Sequence, residues 1–283
     1  MNLKHALTVD VEDWFQVLNL RDRFPLEEWD QCELRLEKPM QILWDLLDLK
    51  KAKATFFFLG WIAERLPDLV RETAARGHEI ASHGYDHQLL PDLGEEGFQK
   101  DLAKTESILK GITGELPRAF RACTWSVGPK TPWAFATLVQ RGYTRDSSLH
   151  PIRHPDYGVE QAPLIPHFIE VGGGKLFELP PLVTEILGRR FPLGGGGYLR
   201  LFPIRWISKA LSKRERQGFP SCIYLHPWEL DPDQPRMQGL GLRGFRHYVN
   251  LSKTHDKLAY LLDRHPFGSL QEVHKAWLQR KEK

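Results

Sequence analysis

Cysteine is scarce in this sequence, and long hydrophobic runs are missing. The 283 residues include three cysteines, which lie far apart and match no zinc-binding spacing: Cys32, Cys123 and Cys222. This pattern predicts free thiols in a reducing compartment rather than a disulfide framework. No segment approaches the roughly 18 consecutive apolar residues of a transmembrane helix. A cleaved signal peptide is not expected, because the first predicted strand starts near Lys4 and carries the acidic Asp10. We therefore expect a cytoplasmic protein without a membrane span.

A strong excess of charge is also lacking. The net charge is +3 and the basic residues are dispersed, which argues against nucleic acid as a partner. Hydrophobic residues make up 41% of the chain and charged residues 27%, as in globular proteins. The length is close to that of one α/β barrel with insertions.

The first half of the chain alternates between strand and helix patterns. Short apolar runs predict strands, and apolar residues three and four apart predict helices. The predicted strands are 6–9, 54–60, 78–83 and 119–125, and the predicted helices are 40–51, 67–77, 94–114 and 131–142. Repeated strand–helix units predict a parallel wound sheet or barrel, with site residues at the carboxyl ends of its strands.

From about residue 157 the pattern changes to loops and antiparallel strands rich in Pro, Gly and β-branched residues. The glycines at 194–197 predict a loop that can approach a ligand closely. The remaining segments predict a helix at 203–218, a strand at 221–226 and a final amphipathic helix within 245–269. We predict one domain, 1–283, divided into core βα units (1–156), an insertion (157–220), and the last barrel strand with a C-terminal extension (221–283).

Acidic and histidine residues stand where several predicted strands end. Asp10 and Asp13 follow the first apolar run, His83 and His87 follow another, and His226 ends a third. Two histidines four residues apart are often surface residues that occur together by chance. Their position after a predicted strand, with acidic residues at the end of another strand, favours a role as metal ligands. A carboxylate and two neutral imidazoles leave open positions on a divalent ion, as a catalytic site requires. The set predicts a metal-dependent hydrolase.

These segments resemble the motifs of the polysaccharide deacetylase (NodB-homology, carbohydrate esterase) superfamily. The motifs are TVDVEDWF, SHGYDH, FRACTW, YTRDSS and YLHP, in the family's order across most of residues 5–230. The resemblance implies a distorted (β/α) barrel of the NodB-homology type, here with a C-terminal loop- and strand-rich extension. It also implies metal-dependent N- or O-deacetylation. Further segments, including RDSSLHPIRHPDYG, GGGGYLRLFP and LHPWELDPDQPR, resemble the subgroup associated with exosortase (PEP-CTERM) exopolysaccharide loci.

The resemblance and the chemistry of amide hydrolysis together suggest catalytic roles. Asp10 is the expected base, held by Arg121 through a charge-assisted pair, and His226 is the expected acid. Asp146 is expected to orient His226, with a turn-capping role as the alternative. Candidates for stacking on sugar rings are three aromatic residues, each of which could instead belong to the core: Trp125, Tyr143 and Trp228. Arg153, His154 and Arg200 either meet polar substrate groups or form structural salt bridges.

The metal carboxylate has two candidates, because the family's adjacent aspartates are replaced here by Asp10-Val11-Glu12-Asp13. Asp10 and Glu12 share a face if the strand continues, whereas a turn at Val11 allows Asp13 to face inward. We predict Asp13 as the ligand with His83 and His87, and Glu12 as the alternative. A proline usual after the third-motif arginine is here Cys123.

The leading hypothesis is removal of acetyl groups from N-acetylated sugars of a bacterial exopolysaccharide or its precursor. The expected cofactor is Zn²⁺, with Co²⁺, Ni²⁺ and Fe²⁺ also compatible with the ligands. The expected partners are an acetylated oligo- or polysaccharide and the proteins of an exopolysaccharide assembly system. Two alternatives are a non-catalytic glycan-binding or scaffold protein and a hydrolase of another C–N amide bond, such as a ureide.

Overall fold

A computed structural model describes residues 3–155 and 157–281 of the chain. Within these residues the strands are β1 His5–Val11, β2 Thr55–Phe58, β3 Glu79–Ser82, β4 Ala119–Phe120, β5 Arg145–Asp146, β6 His167–Val171, β7 Gly174–Glu178, β8 Val183–Ile186, β9 Arg189–Pro192, β10 Cys222–Leu225 and β11 Phe267–Gly268. The helices are α1 Glu37–Leu49, α2 Gly60–Arg65, α3 Pro67–Ala75, α4 Leu90–Thr113, α5 Ala134–Gln140, α6 Gly196–Leu201, α7 Ile204–Arg216, α8 Gly241–Tyr248, α9 Thr254–Leu262 and α10 Leu270–Lys281.

Nine of the strands form one sheet, in the order β10-β1-β2-β3-β4-β5-β7-β6, with β11 also paired to β1. All pairings in this sheet are parallel except the hairpin β6–β7, and β8–β9 forms a separate antiparallel hairpin. The segment after β7 bridges to the free side of β10 at Pro181–Cys222 and Gly195–Tyr224. The sheet is therefore curled, with the segment after β7 returning to β10, and the predicted distorted α/β barrel fold is confirmed.

The first turn of the barrel is built from strands that are buried along their whole length. Every residue of β1 and of β2 is buried, as expected for parallel strands covered on both faces. Helix α1 contributes five side chains, among them Leu43, Trp44 and Leu47, to the main core. This core fixes β1, and with it the position of Asp10 and Glu12.

Two predicted elements were wrong in extent. The strand predicted at 119–125 ends at Phe120, and the last part of the predicted range is a helical turn in which Thr124 and Trp125 adopt left-handed backbone angles (φ 54° and 47°). The final helix predicted within 245–269 is divided into α8 and α9, since the chain becomes extended at Val249 and Asn250 is left-handed. The last helix of the chain is instead α10. The predicted helices at 40–51, 67–77, 94–114, 131–142 and 203–218 are confirmed with shifted ends.

No helix among the described residues combines the length and the apolar character that a membrane crossing requires.

Candidate active site

The carboxyl ends of β1, β3, β4 and β10 open into one cavity of about 250 Å³. Neighbouring parallel strands end at the same edge, so side chains distant in sequence meet there. Those lining the cavity include Asp10, Glu12, His83, His87, Trp125 and His226.

Asp10 is held by Arg121, as the sequence suggested. Both side chains are buried, and Nη1 of Arg121 donates to Oδ1 of Asp10 at 2.6 Å. The guanidinium also donates to the backbone oxygen and hydroxyl of Ser147, at 3.0 and 2.8 Å, which fixes its plane. Burial acts to raise the pKa of Asp10, but Arg121 and the nearby histidines outweigh it and lower this pKa. Asp10 is therefore ionised at neutral pH.

His226 lies between two glutamates. Its Nδ1 lies 2.9 Å from Oε2 of Glu229, and its Nε2 lies 3.0 Å from Oε1 of Glu12 and 3.9 Å from Oδ2 of Asp10. Burial acts to lower the pKa of His226, but Glu12 and Glu229 raise it to about 10. His226 is therefore an imidazolium at neutral pH, with a proton to donate.

Glu229, not Asp146, orients His226, so the role predicted for Asp146 was wrong. Glu229 is fully buried and its Oε1 accepts from Nε of Arg200 at 2.5 Å. Arg200 also donates to three backbone oxygens, at His247, Val249 and Arg246, and it lines the cavity beside Glu229's partner His226. The turn HPWEL carried a usable signal, because a residue at the start of a helical turn and a Glu three positions later form a capping box.

Asp146 caps the turn that follows β5 instead. Its two oxygens accept from the backbone amide and the hydroxyl of Ser148, both at 2.8 Å. The hydroxyl of Ser148 in turn accepts from the amide of Ala122, next to Arg121. Asp146 therefore supports the loop that holds Arg121 and does not contact His226.

His83 and His87 both have lowered pKa values, which keep their imidazole rings neutral. Nδ1 of His83 lies 2.8 Å from the backbone oxygen of Arg121, which can only accept, so Nδ1 carries the proton and Nε2 is free. Burial lowers the pKa of His83, and it lowers that of His87 to about 4. The backbone of His87 is left-handed (φ 56°), a strained state that is common at functional sites. The two ring centroids are 5.6 Å apart.

Glu12 faces the cavity and Asp13 does not, so the predicted ligand Asp13 was wrong and its alternative is favoured. The amide of Glu12 bonds back to the oxygen of Asp10 at 3.1 Å, which bends the chain there. Both oxygens of Asp13 accept backbone amides, from Trp14 at 2.8 Å and from Arg35 at 2.7 Å. Asp13 therefore joins the loop after β1 to the segment before α1.

The donor set fits a divalent ion. Among the described residues, Oε2 of Glu12 has no hydrogen-bond partner although it is buried, and it lies 3.1 Å from Nε2 of His87. A buried carboxylate oxygen without a donor, beside two neutral imidazoles, is the environment that a cation satisfies.

Two of the three aromatic candidates line the cavity. The ring of Trp125 packs on Tyr224 with centroids 4.4 Å apart, and Trp228 is stacked between His226 and His247. Tyr143 is buried against Phe120 in a separate core cluster, away from the cavity, so its predicted contact with substrate was wrong. Tyr157 and Tyr224 also line the cavity and were not singled out from the sequence.

Fold and site together define an α/β barrel whose strand-end cavity combines a carboxylate–arginine pair with three histidines. Residues 30–138 match the polysaccharide deacetylase family model, and residues 147–275 match a domain of unknown function (DUF3473). A peptidoglycan-N-acetylglucosamine deacetylase of Bacillus cereus is 39% identical over 77 residues, which is 27% of this chain and 28% of that relative. Residues 30–138 are thus similar to the polysaccharide deacetylase family, and the matched segment spans less than a third of that relative's length.

Solved structures with this fold extend over nearly the whole chain. A polysaccharide deacetylase-like protein from Mycobacterium smegmatis superposes with a TM-score of 0.68 at 19% identity, covering 98% of this chain and 92% of the other. An allantoinase superposes with a TM-score of 0.62 at 16% identity, covering 97% and 90%. At these identities the likeness concerns the fold alone.

Proposed function

We propose that this protein is a metal-dependent hydrolase that removes acetyl groups from N-acetylated sugars. One observation carries the proposal: Asp10, held by Arg121, and His226, held by Glu229, lie 3.9 Å apart in the lining of one cavity. A fixed base and a fixed acid on two sides of a reacting bond are what amide hydrolysis requires.

The residues that would hold the ion are His83, His87 and Glu12. Two imidazoles and one carboxylate suit zinc, and also cobalt, nickel or iron. When bound, such an ion makes water more acidic and polarises the acetyl oxygen. We propose zinc as the metal of the native protein.

The chain's own groups then supply the proton transfers. Asp10 takes a proton from the attacking water as the water oxygen bonds to the acetyl carbon. His226 gives its Nε2 proton to the amine nitrogen as the carbon–nitrogen bond breaks, so acetate and a free amino sugar leave. Arg121 keeps Asp10 in place and ionised throughout.

The relatives and the cavity walls support the proposed substrate class. The Bacillus cereus relative is a peptidoglycan-N-acetylglucosamine deacetylase, and Trp125 and Trp228 offer aromatic surface beside the site. The motifs shared with the exosortase-associated subgroup support an exopolysaccharide, or its precursor, as the acetylated substrate. The three free thiols support a reducing, cytoplasmic location.

Acetate release tests the proposal directly. The zinc-loaded protein is incubated with N-acetylglucosamine oligomers, an O-acetylated sugar and a cyclic ureide, and acetate, free amine and ring opening are measured. We expect acetate and free amine in equal amounts from the oligomers, and abolition by a chelator. Hydrolysis of the ureide alone would replace this function with another C–N hydrolysis. Binding of the oligomers without any acetate release would indicate a glycan-binding protein.

Substitutions of Glu12 and Asp13 should have different effects on zinc occupancy and on stability. Glu12→Gln weakens a metal ligand, so we expect lower zinc occupancy with little change in melting temperature. Asp13→Asn places an amide NH₂ opposite a backbone N–H, so we expect a stability loss of about 1–3 kcal/mol with zinc occupancy retained. Elemental analysis and thermal melts of both variants make the comparison. Zinc lost from Asp13→Asn but kept by Glu12→Gln would exchange the two roles.

A further inference from the structure

Cys123 stands at the site where the family motif usually has a proline. It lies three residues after the end of β4, it is buried, and its thiol donates to the backbone oxygen of His83 at 2.9 Å. Its sulfur and one ring nitrogen from each of His83 and His87 all lie within 4.8 Å of one another. Zinc–sulfur and zinc–nitrogen bonds of about 2.3 and 2.0–2.1 Å imply separations of about 3.5 Å between tetrahedral ligands. Shifts of about 1 Å or less would therefore bring the three atoms onto one ion.

The buried Oε2 of Glu12 lies beside one of these histidines, although Glu12 is not among the three groups that lie within 4.8 Å of one another. It contacts Nε2 of His87 at 3.1 Å and has no hydrogen-bond donor among the residues that the structure describes. A sulfur and an unsatisfied carboxylate oxygen thus both lie beside His87. Cys123 belongs to a cluster of ligating groups and is not an isolated thiol.

Proximity alone does not make such a cluster a metal site, as a second one shows. His5, Glu215 and His265 also lie within 4.8 Å of one another, far from the cavity along β1. The backbone amide of Ser221 donates to Nδ1 of His5 at 3.1 Å, so Nε2 carries the proton and faces Glu215 at 3.3 Å. His5 therefore has no free lone pair for an ion. His83 differs, because the carbonyl of Arg121 fixes its proton on Nδ1 and leaves Nε2 free.

We infer that Cys123 is a further ligand of the metal that His83, His87 and Glu12 hold, an inference that rests on the metal site of the proposed function. On binding, the ion replaces the thiol proton, which leaves to water, and the bond from the thiol to the oxygen of His83 is given up. A thiolate ligand favours soft or borderline ions such as zinc and cobalt over magnesium and manganese. The chain's departure from the family motif thereby becomes a determinant of metal choice.

Cobalt substitution tests this inference without relying on activity. A thiolate bound to cobalt gives an intense charge-transfer absorption in the near ultraviolet, which nitrogen and oxygen ligands do not give. We expect this band in the cobalt-loaded wild type. We expect it to be absent from the Cys123→Ser variant, provided that the variant still binds cobalt. Cys222→Ser, which changes another buried thiol, should keep it. A wild type that binds one cobalt ion without the band, or a band that survives in Cys123→Ser, would overturn the inference.

A second measurement needs no variant. X-ray absorption of the zinc-loaded wild type should show one sulfur at about 2.3 Å from the metal. A shell of nitrogen and oxygen alone would refute sulfur ligation even if Cys123→Ser failed to fold. Metal-dependent acetate release without sulfur ligation would leave the proposed function standing and remove only the role of Cys123. Absence of both metal binding and acetate release would remove both.

Discussion

Asp10→Asn should lower kcat for acetate release by about 10²–10⁴-fold, the range that a positioned base contributes. The amide keeps the size of the carboxylate but cannot take a proton from water. Zinc occupancy should stay close to that of the wild type, because the proposed ligands His83, His87 and Glu12 are unchanged. Acetate release and zinc content are measured on the same preparation.

A control measurement must show that the Asp10→Asn variant is folded. The substitution leaves buried Arg121 without its anionic partner, so part of any loss could come from unfolding. Circular dichroism and a thermal melt, made at the assay temperature and above it, separate the two causes. A folded, zinc-loaded Asp10→Asn protein with wild-type kcat would remove Asp10 from the role of base.

Arg121→Gln should destabilise the protein by about 3–5 kcal/mol, because removing one partner leaves a buried charge uncompensated. The guanidinium is fully buried and donates to Asp10, Thr8 and Ser147. Without it, the pKa of Asp10 should rise, since Arg121 is the largest influence that lowers it. Urea unfolding measures the loss.

Arg71 provides a matched control for that variant. It pairs with Asp68 on the surface of α3, with both side chains more than half exposed. Exposed pairs contribute about 0–1 kcal/mol, so Arg71→Gln should change the unfolding free energy little. The double variant Arg121→Gln, Asp10→Asn should cost less than the sum of the two single changes, because the two residues interact directly. Additive effects would show that the pair at 2.6 Å has no energetic role.

Residues at strand ends could be anticipated from the sequence, because parallel strands bring their carboxyl ends to one edge. Asp10, His83 and His226 each follow a short apolar run and line the cavity, and Arg121, at the end of another strand, donates to Asp10. The alternation of strand and helix patterns predicted a parallel wound sheet or barrel, and the family resemblance implied the barrel. The sequence pattern therefore specifies the order of strands and helices, and it places the residues that follow the strands at one edge of the sheet.

Choices between adjacent polar residues could not be made in this way. Glu12 and Asp13 differ in direction because Asp13 accepts the amide of Arg35, a contact across 22 positions that local periodicity does not encode. The carboxylate that contacts His226 is Glu229, which lies three positions later on the same short helical turn. Asp146, on another strand, is not that partner. The aromatic Tyr143 looked similar to Trp125 in its sequence context, yet it packs on Phe120 in another core cluster.

We propose that this cavity hydrolyses acetylated sugars with a metal held by His83 and His87. The most direct measurement is acetate release from N-acetylglucosamine oligomers while zinc is titrated into chelator-stripped protein. We expect no release without metal, a rise that ends near one zinc per chain, and no release at any zinc level from the folded His83→Ala, His87→Ala double variant. Release by the stripped protein, or wild-type release by the double variant, would contradict the account.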